Sequence, residues 1–248
     1  MNEFREEIDQ HFSSFTTAWH SEQETVETQL QKNQFIYKNS YARLVSLNIW
    51  REQLLSQRLR PEALAFFLEA QNDALVSHVF AAKGAWRASL QSLRAFLENA
   101  VFCMFFKDHP VELELWHIGK YKPGFADTKE YLSRHPRYFD LDASLTGISM
   151  LGAEYATLSK AVHGVTSFRM TISGDETLLW SSDRANLGAW ATREANAVRA
   201  VNLILLVMFS PELQGAAFPL LRKAASLAVP FRYHSSIKKK LGITLYKP

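Results

Sequence analysis

The stretch Ala85-Trp86-Arg87-Ala88-Ser89-Leu90-Gln91-Ser92-Leu93-Arg94-Ala95-Phe96-Leu97-Glu98-Asn99-Ala100-Val101-Phe102-Cys103-Met104-Phe105-Phe106-Lys107 decides the fold. At about 100° per residue, Arg87, Gln91, Arg94 and Glu98 fall within a sector of roughly 60°. Leu90, Leu97 and Val101 flank that sector on one side, and Ala88, Ala95 and Phe102 on the other. Leu93 and Phe96 cover the far face. A helix that is apolar nearly all round belongs in the middle of a bundle. This segment is therefore expected to be the most buried helix of an all-α protein. Asp108-His109-Pro110 ends it, because the residue before a proline is turned away from helical geometry.

Helical patterning continues in both directions. Residues 3–57 read as helix, broken near 31–39, and Pro61 opens a helix over 62–79 from the favoured first position. After the loop-rich 117–124, Asp127-Thr128-Lys129-Glu130 reads as a capping box opening a short helix that ends before Pro136. Leu151, Tyr155, Leu158 and Val162 follow helical spacing, with Gly164 as the stop. Phe168–Ile172 and Thr177–Trp180 around Ser173-Gly174-Asp175-Glu176 read as a small β-hairpin insertion, near 168–180. A second strong helix spans about 187–209. Ser210-Pro211-Glu212 reads as a break and a fresh helix start, and short helices near 219–228 and 235–241 close the chain. There is no repeat, linker or shift of composition. The expectation is one helical domain over 1–248, with N-terminal helices (1–60) on a central bundle (61–209) and short C-terminal helices (210–248).

The 248 residues carry 28 Lys+Arg against 25 Asp+Glu, with 47% hydrophobic and 21% charged residues. This globular balance excludes disordered and collagen-like readings. The lone Cys103 excludes an internal disulfide and reads as a core thiol. The acidic N-terminus has no apolar signal region, and the longest apolar run, 201–209, is far short of the roughly 18–20 residues of a membrane span. A cytoplasmic protein with no membrane contact is expected. Charge is uneven. Residues 1–31 hold Glu3, Glu6, Glu7, Asp9, Glu22, Glu24 and Glu27 against Arg5, a net −6. Residues 213–248 hold Arg222, Lys223, Arg232, Lys238, Lys239, Lys240 and Lys247 and no acid, a net +7. The basic end reads as a solvated face, as a salt-sensitive contact for RNA phosphates with Phe231, Tyr233 and Tyr246 as stacking platforms, or as a partner for the acidic end, within one chain or across a dimer.

Two constellations carry chemistry. Arg94 and Glu98, at i,i+4, pair on one face, and Arg87 adds a second guanidinium. One reading is a structural salt bridge or a stripe exposed at one edge of the bundle; the other is a polar cleft whose two arginines and single acid leave positive charge for a phosphate or carboxylate. In Tyr155–Gly164, Lys160 and His163 share a helix face with Ser159. His163 suits acid/base work near neutral pH, or caps the helix C-terminus. The candidate site is thus His163 and Glu98 as catalytic groups, with Arg87, Arg94 and Lys160 binding phosphate. No Walker loop, dinucleotide fingerprint, nucleophile elbow or cysteine pair is present, so neither metal nor cofactor is expected. Glu114-x-x-His117 has di-iron spacing but lacks the second such pair.

Arg94-x-x-x-Glu98 on a central helix, followed by Leu158-Ser159-Lys160-Ala161-Val162-His163-Gly164 closing a later one, resembles the HEPN superfamily or a bacterial family related to it. The resemblance spans residues 85–209. It implies an all-helical domain of bacterial defence or stress-response systems that binds RNA or a nucleotide, cleaves RNA without metal and works as a dimer. Catalytic members carry an arginine, then four to six residues, then a histidine, near the start of a late helix. His163 has no such arginine before it, and Arg5 with His11 is the only formal match. The competing reading is a non-enzymatic helical adaptor or regulatory protein with a protein partner and a purely structural polar stripe.

Overall fold

The computed structural model describes residues 2–163, 172–173, 176–177 and 183–246. Helix breaks fall where the chain loses a donor or needs a left-handed residue. Helix α1 (Asn2–Lys32) runs to Asn33, and α2 (Gln34–Trp50) continues through a wide π-helical turn, Arg51–Leu55, into α3 (Ser56–Arg58). Pro61 then occupies the first turn of α4 (Pro61–Ala82). Gly84, at φ 72°, turns the chain back into α5 (Trp86–Asp108). The short turn lays α4 and α5 side by side as the most extensive helix pair of the molecule. Pro110 opens α6 (Pro110–His117), and α7 (Phe125–Arg134), α8 (Ala143–Thr146) and α9 (Ile148–Val162) follow. Helix α10 (Arg184–Met208) returns through the middle, and α11 (Pro219–Ala228) and α12 (His234–Leu241) close the described chain.

The class is all-α. The hairpin expected at 168–180 falls largely outside the described residues. Within it only β1 (Ile172–Ser173) and β2 (Glu176–Thr177) are described, paired antiparallel as Ile172 with Thr177 and Ser173 with Glu176. The stop at Gly164 also lies outside them.

Burial corrects one expectation. Helix α5 buries 12 of its 23 residues, whereas α10 buries 14 of its 25. Every residue of 200–209 is buried, because the end of α10 has neighbours on all sides. Helix α5 keeps a half-buried edge, which is where its polar stripe lies. The core joins Trp50 and Phe67 with Phe96, Phe106, Trp190 and Phe209. Cys103 is fully buried in it, and burial pushes its thiol well above the ordinary value.

Two local starts differ from expectation. The N-cap of α7 is Gly124, not Asp127, and no side chain caps it, Thr128 Oγ1 instead donating back to Gly124 O at 3.1 Å. The helix begins before the acid, at Phe125, whose ring stacks on Tyr155 with centroids 3.5 Å apart. Residues 210–218 form turns rather than a helix, with Gly215 at φ 69° and Leu213 sunk into the core. The basic end is not uniformly solvated either. Arg222 is 2% exposed, donating to Gly215 O and to Tyr246 Oη, while Lys223, Arg232 and Lys238–Lys240 are exposed.

Candidate functional site

The stripe on α5 faces α9. Arg94 Nη1 donates to Glu98 Oε2 at 3.0 Å, and its Nε donates to Ser159 Oγ at 3.2 Å. Its Nη2 donates to Tyr155 Oη at 2.6 Å, and that hydroxyl donates onward to Glu98 Oε1 at 2.8 Å. The guanidinium also lies 4.8 Å from the Tyr155 ring centre. Tyr155 and Ser159 are four apart on α9, so one face of that helix meets the i,i+4 pair of α5. Burial raises the Tyr155 hydroxyl above its ordinary value, and the hydrogen bond to Glu98 adds to that, so the phenol stays a donor. The Arg94 and Glu98 side chains are 23% and 24% exposed, at the edge of the bundle.

Arg87 reaches the end of α9. Its Nε donates to Ala161 O at 3.1 Å and its Nη2 to Val162 O at 3.4 Å. These are carbonyls the helix cannot satisfy itself, and the negative end of the helix dipole sits there. Lys160 and His163 are exposed at that same end, and His163 is the C-cap residue. The structure therefore brings Arg87, Lys160 and His163 to one helix terminus. Arg94 and Glu98 meet α9 further back, through Tyr155 and Ser159.

Several buried polar groups lay beyond sequence reasoning. Glu194, fully buried on α10, accepts from Arg43 Nε of α2 at 2.8 Å and from Arg43 Nη2. Burial pushes its carboxyl up to about 6, against the pull of Arg43. Ser40 Oγ lies 3.0 Å from His78 Nδ1, and burial lowers the His78 value, with Arg43 adding to the shift. Glu154 on α9 is 4% exposed and accepts both its oxygens' bonds from Arg193 Nη1 at 3.0 Å, with Asn196 Nδ2 at 2.8 Å. Asn202 accepts from Trp50 Nε1 at 2.9 Å and donates to Ser46 Oγ at 3.1 Å. The sequence marks Asn202 only as an interruption of an apolar run.

At the other end of α5, His109 stacks on Phe105 and His135 lies 3.6 Å from Asp108, both beside Tyr131. His117 sits apart, exposed beside Trp116. Among the described residues, no three His, Cys, Asp or Glu side chains gather as a cation site, and no helix is long and apolar enough to cross a membrane.

Two grooves open on α2. One, of about 410 Å³, lies against α4 and includes Tyr41, Val45, Arg51, Leu68 and Leu75. The other, of about 350 Å³, lies against α10 and includes Phe35, Asn39, Arg43, Ala195 and Arg199. Neither is lined by Arg87, Arg94, Glu98, Lys160 or His163. Fold and site together define an all-helical protein with buried ion pairs linking α2, α9 and α10. Comparison with protein families, with characterised proteins and with solved structures finds no match to this chain.

Proposed function

We propose that this chain is a non-enzymatic helical interaction protein, an adaptor or regulator, in which the stripe on α5 is structural. One observation carries the reading. The Arg94 nitrogens are spent on Glu98, Tyr155 and Ser159, and Arg87 donates to the last carbonyls of α9. A phosphate would have to displace those bonds. The test is RNA binding and cleavage by the intact chain, using a fluorescein-labelled single-stranded oligonucleotide at two salt concentrations. The adaptor reading expects no cleavage, and an isotherm that Arg87→Gln and His163→Ala leave unchanged. Cleavage that disappears in His163→Ala overturns it.

A second reading keeps the HEPN-like defence or stress-response protein that binds RNA or a nucleotide and cleaves RNA without metal. It draws on the exposed Lys160 and His163 at the α9 end that Arg87 reaches. There His163 would exchange a proton with a ribose 2′-hydroxyl, with cationic neighbours for the phosphate. In the same assay, this reading expects cleavage that needs His163 and binding that weakens as salt rises.

A further inference from the structure

Helix α1 is the largest element with an unfilled apolar face. At about 100° per residue, Phe4, Ile8, Phe12, Phe15, Val26 and Leu30 fall within roughly 80° of arc. In the structure Phe4, Ile8, Phe12, Phe15 and Leu30 are 69%, 49%, 65%, 49% and 40% exposed. The described acids Glu6, Glu7, Asp9, Glu24 and Glu27 are exposed outside that arc. Position 22, a glutamate, falls inside it. An apolar stripe of this length, interrupted at position 22, marks an interaction surface.

Charge selects the occupant. A net −6 over residues 1–31 opposes an anionic membrane surface. It equally opposes pairing of α1 with a second α1, acid against acid. What fits is an apolar surface with unneutralised cations, and the chain itself presents one. The groove between α2 and α10 has Phe35, Ala191 and Ala195 beside Arg43 and Arg199. Arg43 is neutralised by Glu194, but among the described residues Arg199 forms no ion pair, and its buried Nε has no hydrogen-bond partner. Arg232 is exposed, and its charge acts on Arg199. Within one chain α1 packs only on α2 and α4 to any extent, and among the described residues no ion pair joins it to the basic end.

We propose that the chain forms a two-fold dimer in which the apolar face of α1 from each copy lies in the α2–α10 groove of the other, its acids facing Arg199 and Arg232. Helix α1 ends at Lys32, and Phe35, 78% exposed, stands at the mouth of the groove, so the exchange needs no long linker. Reciprocal contacts of this kind close on themselves.

The inference deepens the interaction-protein reading by naming the partner, and its test is separate from the RNA assay. Molar mass of the full chain is measured by light scattering after size exclusion, from ~1 to ~100 µM, with circular dichroism as the folding control. The proposal expects a dimer that Phe12→Gln/Phe15→Gln turns into a folded monomer, since those side chains are exposed and outside the core. Arg232→Glu should weaken the dimer at least tenfold, and Asp9→Lys/Glu27→Lys should weaken it as well, because each sets like charge against like across the contact. A monomer throughout the concentration range overturns the proposal, as does a dimer indifferent to the α1 variant. A dimer that responds to Phe12→Gln/Phe15→Gln but not to the charge reversals overturns the assigned groove.

Discussion

Replacing Glu98 by alanine tests how the stripe is held. The carboxylate accepts from Arg94 Nη1 at 3.0 Å and from Tyr155 Oη at 2.8 Å. Hydrogen bonds to a charged group contribute about 1.5–3 kcal/mol each, and stranding a closed buried charge costs about 3–5 kcal/mol. Neither figure applies in full here. Arg94 keeps Ser159 Oγ and Tyr155 Oη as acceptors, and both partners of the pair are roughly a quarter exposed, so water can take the vacated place. The expected loss is about 1.5–2 kcal/mol. Urea denaturation followed by circular dichroism would show it as a midpoint lowered by ~0.6 M, taking a slope of ~3 kcal/mol per M. Tyr155→Phe, which removes the bridging hydroxyl alone, should cost about 1 kcal/mol. A loss above about 4 kcal/mol would mean the pair is shut off from water. A loss below about 0.5 kcal/mol would mean the network holds nothing, and the structural reading of the stripe would fail.

Glu194 sets a pH dependence. Its folded value of about 6 lies above the ordinary 4.5, so the folded state binds that proton more tightly. Its contribution is fully present below about 4.5 and is lost as pH rises through about 6. Thermal melts from pH 4 to 8 should show this fall flattened in Glu194→Gln. His78, lowered by burial, acts in the opposite sense and remains in both proteins, so the difference between them isolates Glu194. Asn202→Ala should cost about 2–3 kcal/mol in urea melts, because it leaves the buried Trp50 Nε1 without an acceptor. Gly147→Ala should destabilise far more than Gly119→Ala in the same assay. Both sit near φ 70°, a strain of about 1–2 kcal/mol for alanine, but a Cβ at 147 would meet Ala200 O at 2.5 Å whereas 119 is open.

Helix order was legible because prolines and turns punctuate it: Pro61 and Pro110 open helices, and Asn33 and Gly84 separate them. The Arg94–Glu98 pair was legible because i,i+4 spacing is local. The Arg43–Glu194 pair was not, since its members are 151 residues apart and each sits in a helix of mixed pattern. Nothing in a run such as Arg193-Glu194-Ala195-Asn196 says that the glutamate points inward while its arginine neighbour reaches Glu154. Burial rank failed for a related reason. Counting apolar faces favours α5, but how many neighbours a helix has is a property of the assembled bundle, and α10 has more sides covered at its C-terminal end.

The cleft reading rested on a charge count of two arginines against one acid, and that count omits the backbone. The C-terminus of a helix carries roughly half a negative elementary charge on its unsatisfied carbonyls. Arg87 spends its guanidinium on two of those carbonyls at the end of α9. With that included, the stripe has Glu98 for Arg94 and a helix end for Arg87, and the excess positive charge that would call for a phosphate is largely gone. Two partly or fully buried arginines without an ion pair among the described residues, Arg199 on α10 and Arg222 on α11, lie where the sequence pattern showed no stripe at all. Long-range ion pairs and helix ends decide which cations are free, and both exist only once the chain has folded.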